Sequence, residues 1–188
     1  MKILITGGAG FIGSELTGLL LSKGHKVTVV DNLLYEKTSL LSYISNSNFT
    51  FIKDDVRNDR VLKEQVPLHD ILIPLAALVG APLCDKNPID AELINFRHVS
   101  FMNSLRSLHQ KIIYPNTNSG YGSTTGNQLI TEESPLTPIS IYGTTKCRAE
   151  NEIKQSLNWT TMRLATVFGA STRPRFDLLV NNLVLRAV

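Results

Sequence analysis

Lys2-Ile3-Leu4-Ile5-Thr6-Gly7-Gly8-Ala9-Gly10-Phe11-Ile12-Gly13 opens the chain, and its reading decides the fold. Lys2 to Thr6 is apolar almost throughout, as a strand buried on both faces must be, and the glycines follow without a gap. From Ser14 to Ser22, Leu16, Leu19 and Leu20 recur at helical spacing. Gly24 stops that helix, and Lys26-Val27-Thr28-Val29-Val30 makes a second buried strand ending at Asp31. Strand, glycine turn, helix, strand and acid in this order form a half-site for an adenine dinucleotide. Gly7 permits the tight turn, Gly10 lets backbone approach a pyrophosphate, and Gly13 lets the helix pack on the sheet. The phosphates then meet free N–H groups at the positive end of the helix, where Phe11 and Ile12 lie. Asp31, eighteen residues after Gly13, is placed to accept hydrogen bonds from both ribose hydroxyls, with Asn32 beside it. Three bare glycines fit a plain strand-turn-helix connection equally well; the flanking strand, the helix and the acid favour the dinucleotide. The carboxylate repels a 2′-phosphate and no arginine closely follows it, so NAD is expected rather than NADP.

At 188 residues, one domain with one good core is the default. Apolar residues are 43% and charged ones 19%, ordinary for a globular α/β protein. The formal charge of +3 is small and the basic residues are scattered, so no nucleic acid or anionic membrane is expected as a partner. Cys84 and Cys147 lie far apart, with no CxxC and no histidine at metal spacing. They read as reduced bystanders in a cytoplasmic protein without a metal. No apolar run approaches the roughly twenty residues of a membrane helix, and the N-terminus enters a strand with no signal-peptide pattern.

Further along, Ser39–Ile44 reads as a short helix, Phe49–Lys53 as a third strand and Asp59–Gln65 as a helix. Asp70–Pro74 is a fourth strand, and Pro88 to about His109 the longest helical stretch. Lys111–Pro115 is a fifth strand, Tyr142–Leu157 a helix and Thr160–Val167 a sixth strand. Apolar strands alternating with helices require parallel pairing with helices on both faces: a Rossmann-type, doubly wound α/β fold. Between Asn116 and Ile141, Ser, Thr, Gly and Pro dominate and no period survives. A loop of that length, beginning at the carboxyl end of a strand, is expected to be functional.

Tyr142-Gly143-Thr144-Thr145-Lys146 sets a phenol and an ammonium four residues apart, on one helix face. A free phenol, with a pKa near 10, is no base at neutral pH, whereas a nearby cation favours the phenolate. Such a pair also occurs by chance in many helices. Its weight comes from following a dinucleotide half-site and the polar turn Tyr114-Pro115-Asn116-Thr117-Asn118-Ser119-Gly120-Tyr121-Gly122. With these motifs in this order, the chain resembles the extended short-chain dehydrogenase/reductase family, in its NAD-dependent nucleotide-sugar epimerase/dehydratase group.

The resemblance implies NAD as cofactor and a nucleotide sugar as substrate. By it, Asp55-Val56 contacts adenine, Leu75-Ala76-Ala77 passes the cofactor ribose, Tyr142 and Lys146 are the catalytic pair, and Phe168-Gly169 meets the nicotinamide. Asn181-Asn182-Leu183 begins to grip the sugar nucleotide. Thr117 stands at the family's catalytic Ser/Thr, with Ser119 as the structural rival, since turns welcome serine for backbone bonds. Arg173 and Arg175 are candidate diphosphate contacts, or equally solvated loop arginines. Cys147 is expected to point away from the catalytic face and pack. The family's 4,6-dehydratases carry an Asp-Glu pair directly after the catalytic threonine; here Asn118 and Ser119 stand there and cannot act as acid and base. That disfavours dehydration and leaves epimerisation by transient oxidation to a keto sugar. The alternatives are a dehydrogenase or reductase and a non-catalytic NAD-binding module.

Residues 1–170 are therefore expected to form the NAD-binding domain, carrying Thr117, Tyr142 and Lys146, and 171–188 the start of a substrate-binding region. Asp177–Val188 has helical spacing and stops without a cap, so the substrate lobe is expected to be largely absent. The resemblance also implies a homodimer, through the stretches 88–109 and 142–157.

Overall fold

The computed structural model describes residues 1–35, 38–123 and 129–187. Residues 124–128 of the Asn116–Ile141 loop, and Val188 at the end of the expected terminal helix, lie outside the described residues. The chain divides into two compact units, Met1–Ala76 with Thr166–Val188, and Ala77–Ala165.

In the first unit, β1 (Lys2–Thr6), β2 (Lys26–Asp31), β3 (Phe49–Lys53) and β4 (Ile71–Pro74) pair in parallel. Ile3, Leu4, Ile5, Val27, Val29, Val30 and Leu72 are fully or almost fully buried, which explains the unbroken apolar runs. β1 pairs with β2 on one side and β4 on the other, so strand order reverses beside β1, where open α/β sheets bind ligands. Helices α1 (Phe11–Ser22) and α2 (Asp59–Gln65) connect these strands. α1 begins three residues before the leucine spacing suggested, because the glycine turn feeds straight into it. Ser39–Ile44, expected as a short helix, forms a single 3₁₀ turn at Leu41–Tyr43.

The second unit holds β5 (Lys111–Thr117) and β6 (Trp159–Leu164), also parallel. Its helices are α3 (Ala81–Lys86), α4 (Pro88–Ala91), α5 (His98–Leu105) and α6 (Ile141–Lys154). Sequence periodicity missed α3, although Gly80 at φ +92° followed by Pro82 in the first turn is a helix-start signal. The stretch expected as one helix from Pro88 to His109 has a π-helical segment at Glu92–Arg97 and ends at Leu105. Within the π segment, the buried Asn95 amide accepts from the Leu78 N–H at 2.8 Å and donates to the Leu78 carbonyl at 3.0 Å. The stretch ends where Arg106 turns extended and its guanidinium donates to Asn103, Gln110, Ser156 and Leu157. In the first unit again, α7 (Leu179–Ala187) follows the returning segment.

Candidate active site

The glycine turn holds its shape for steric reasons. Gly7 has φ +73°, and a Cβ there would lie 2.4 Å from the Ala76 nitrogen. A Cβ on Gly13 would lie 2.6 Å from the Gly8 Cα and 2.7 Å from the Gly7 carbonyl oxygen. The tight packing at Gly7 brings Leu75-Ala76 against the turn, and Leu75 N–H donates to Thr6 O at 2.9 Å. Gly10 caps α1 without a side chain, so no side-chain oxygen competes for the first-turn N–H groups. An anion fits there by charge and by hydrogen-bond type.

Asp31 sits at the end of β2 with both carboxylate oxygens engaged: Oδ2 accepts from Ala9 N–H at 3.0 Å and Oδ1 from Leu33 N–H at 2.8 Å. Each oxygen keeps a lone pair for a further donor. Asn32 donates to Asp55 Oδ2 at 2.9 Å, tying the end of β2 to the residues after β3. Arg57 grips Asp55 through Nε and Nη2, which with Asn32 holds that carboxyl well below the usual carboxylate range. Val56 is buried beside it. The structure thus brings Gly7–Gly13, Asp31, Asn32, Asp55 and Leu75-Ala76 into one neighbourhood of the first unit; Ala77 belongs to the second.

The returning segment is fastened to the start of α1. Ser171 Oγ donates to Phe11 O at 2.8 Å, and Thr172 N–H donates to Glu15 at 2.8 Å. Phe168 is exposed. Asn181 accepts from Gly169 N–H and donates to Arg175 O, while Asn182 donates to Phe176 O, so both asparagines brace this segment. Arg173 lies 4.2 Å over the Tyr35 ring and Arg175 pairs with Asp177.

In the second unit, Lys146 is almost fully buried on α6. Its Nζ donates to the Pro115 carbonyl at 2.8 Å and lies 4.1 Å from the centre of the Tyr114 ring. Burial pushes its ammonium down to about 7. Tyr142, one turn earlier, packs partly buried against Leu78, Cys84 and Ala91. Thr117 ends β5; its hydroxyl accepts from Ser119 N–H and donates to Ser119 Oγ, both at 3.1 Å. The backbone bond expected of Ser119 is therefore made to Thr117, and exposed Ser119 Oγ is next in the same hydrogen-bonded chain. Cys147 is buried and packs against the turn, where a Cβ on Gly120 would come within 2.5 Å of its sulfur.

Sequence reasoning missed the polar cluster behind these residues. Glu150, fully buried on α6, takes Arg163 Nη2 at 2.7 Å, Lys154 at 2.6 Å and the Asn116 amide. Burial alone would raise this carboxyl, but the three donors outweigh it and hold it down to about 2. Arg163 also donates to the Tyr121 hydroxyl at 3.0 Å and to Glu132 O at 2.8 Å. No local pattern announced the cluster, since β6 is only partly buried and Arg163 stands near its end.

The sequence model of the NAD dependent epimerase/dehydratase family matches residues 3–188. Protein CapI of Staphylococcus aureus is 36% identical over 198 residues, taking in 95% of this chain and 58% of that protein. A UDP-glucose 4-epimerase of Halalkalibacterium halodurans is 36% identical over 157 residues, 80% of this chain and 44% of the enzyme. Among solved structures, the UDP-glucuronic acid 4-epimerase of Bacillus cereus, in complex with UDP-glucuronic acid and NAD, matches with a TM-score of 0.85 and 28% identity. That match covers 100% of this chain and 63% of the other. The chain thus spans about half the length of the curated relatives it matches. The likeness bears out the Rossmann-type α/β fold, and NAD, the cofactor expected from Asp31, is the one that names the family. The glycine turn, the acid after β2 and the Tyr142/Lys146 helix are accounted for together: this chain belongs to the NAD dependent epimerase/dehydratase family.

Proposed function

We propose that the chain is an NAD-dependent nucleotide-sugar 4-epimerase. The first unit holds the adenosine and pyrophosphate of the cofactor, through the N-terminus of α1, Asp31 and the Asn32–Asp55 pair. Phe168 is its contact to the nicotinamide, and Asn181, Asn182, Arg173 and Arg175 belong to the nucleotide-sugar side. NAD, when bound, would supply a reversible hydride acceptor for the sugar carbon. Tyr142 takes and gives back the proton of the reacting hydroxyl. Lys146 supplies the positive charge that favours phenolate, and the Thr117–Ser119 hydroxyl pair orients the sugar oxygen. Homodimers through the stretches 88–109 and 142–157 belong to the same proposal, and sedimentation measures them.

The observation that carries this reading is the buried Lys146 amine one turn from Tyr142, since a lysine so deeply desolvated is costly to keep without a use. Asn118 and Ser119, an amide and a hydroxyl, favour epimerisation over water elimination. Incubation with NAD and UDP-glucose, followed by proton NMR of the sugar and absorbance of reduced cofactor, tests it. Inverted sugar without net NADH is expected. Net NADH would mean a dehydrogenase, and NAD binding with neither product would mean a binding module.

A further inference from the structure

Lys146 faces a problem that the usual remedy does not solve. A desolvated ammonium normally finds a carboxylate. The fully buried carboxylate on its own helix, Glu150, is already taken by Arg163 from β6, by Lys154 and by Asn116. Of the other titratable groups nearby, Tyr142 and Cys147 belong to α6 and Tyr114 to β5. Burial raises both the Cys147 thiol and the Tyr114 phenol, so neither offers an anion at neutral pH. What meets the amine is the Pro115 carbonyl at 2.8 Å and the face of the Tyr114 ring at 4.1 Å. The same tyrosine, wholly buried, donates its hydroxyl to the Lys146 carbonyl at 3.3 Å. Tyr114 therefore touches Lys146 at the amine and at the backbone.

We propose that Tyr114 is a positioning residue for Lys146: its ring face and the Pro115 carbonyl form a seat that keeps the amine protonated and fixed at the end of β5. The functional weight of this seat rests on the role assigned to Lys146 above. An aromatic face attracts a cation most strongly where water is excluded, as here. The attraction acts on the ammonium and not on the neutral amine, so it opposes the loss of the proton that burial drives.

A ring that merely fills space and one that carries a cation differ in one measurable respect. Fluorine withdraws density from the ring face with little change of shape. Tyr114→Phe, then difluoro- and pentafluorophenylalanine at position 114, form the test series, read by NMR titration of the Lys146 13Cε signal in the cofactor-free chain. Lys146→Met assigns the signal. The midpoint is expected to fall stepwise, by about one pH unit from phenylalanine to its pentafluoro form. A constant midpoint across the series would overturn the proposal. Should Tyr114→Phe fail to fold, 3,5-difluorotyrosine keeps the hydroxyl and gives the same reading against the unmodified chain. Calorimetry with NAD at pH 8 is the second arm: the Lys146 ammonium, proposed also to hold the nicotinamide ribose, loses its charge as the midpoint falls, so affinity should drop in step. If the unmodified chain binds no NAD at any pH, the proposed function fails, while the titration still decides the seat.

Discussion

Asp31 already supports its own loop through two backbone amides, so its replacement has two separable effects. Asp31→Arg should raise affinity for NADP relative to NAD by about tenfold or more, as a repelling carboxylate gives way to a phosphate-binding cation. It should also cost about 1–3 kcal/mol of stability for the amides left unpaired. Cofactor titration and thermal melting read the two, and an unchanged preference would remove Asp31 from the site. Tyr142→Phe should lower epimerisation by roughly 10²–10⁴-fold while NAD affinity holds, since only the proton carrier is lost. Equal turnover by the variant and the unmodified protein would sink the catalytic scheme. Thr117 and Ser119 share one hydrogen-bonded chain, so Thr117→Val and Ser119→Ala should be strongly non-additive in a double-mutant cycle.

Helix α6 and strands β5 and β6 are joined by Glu150, and this makes the second unit acid-sensitive in a defined way. The Glu150 carboxyl falls from its ordinary 4.5 to about 2 on folding, so its contribution is fully present above about pH 4.5 and is lost as pH falls toward 2. The shift corresponds to roughly 3 kcal/mol. Glu150→Gln should cost about 3 kcal/mol near neutrality, because the largely covered Arg163 guanidinium is left without its anion. The variant should also lose less further stability between pH 5 and 2, and parallel acid melts of both proteins would contradict the assignment. This cluster also shows where legibility ended. β1 and β2 were readable almost to the residue because burial on both faces leaves a nearly unbroken apolar run, and β3 because Phe49, Phe51 and Ile52 stand out although the strand is only partly buried. The turn glycines were readable because sterics at this junction leave few alternatives. The π segment was not, since an extra residue in a helical turn answers to Leu78, a partner distant in sequence. Arg106 ends α5 by bonding the Ser156 hydroxyl and the Leu157 carbonyl, about fifty residues away, which no local period announces. Thr117, Tyr142 and Lys146 were singled out as candidates by motif. Their supports, Tyr114, Glu150 and Arg163, were not, because each depends on pairings set by the fold.

Across the whole chain, binding is expected to be uneven. A polypeptide of these 188 residues carries the NAD-contact residues proposed above and spans 58% of the length of its relative CapI. It should bind NAD well and nucleotide sugars weakly, with low turnover, because remote contacts supply the energy that positions a reacting carbon. Calorimetry with NAD and a panel of nucleotide sugars checks this, and tight sugar binding with full epimerase rates would refute it. The first unit has a further property: it is made of two stretches, Met1–Ala76 and Thr166–Val188, and Ser171 bonds a partner 160 positions upstream. On the ribosome, the residue that fastens the start of α1 emerges 160 positions after it. At roughly 5–20 residues per second, the glycine turn waits about eight to thirty seconds for that fastening. During synthesis the nascent chain displays its glycine turn unfastened, and its vulnerability to proteases and its need for chaperones should be greatest in that interval.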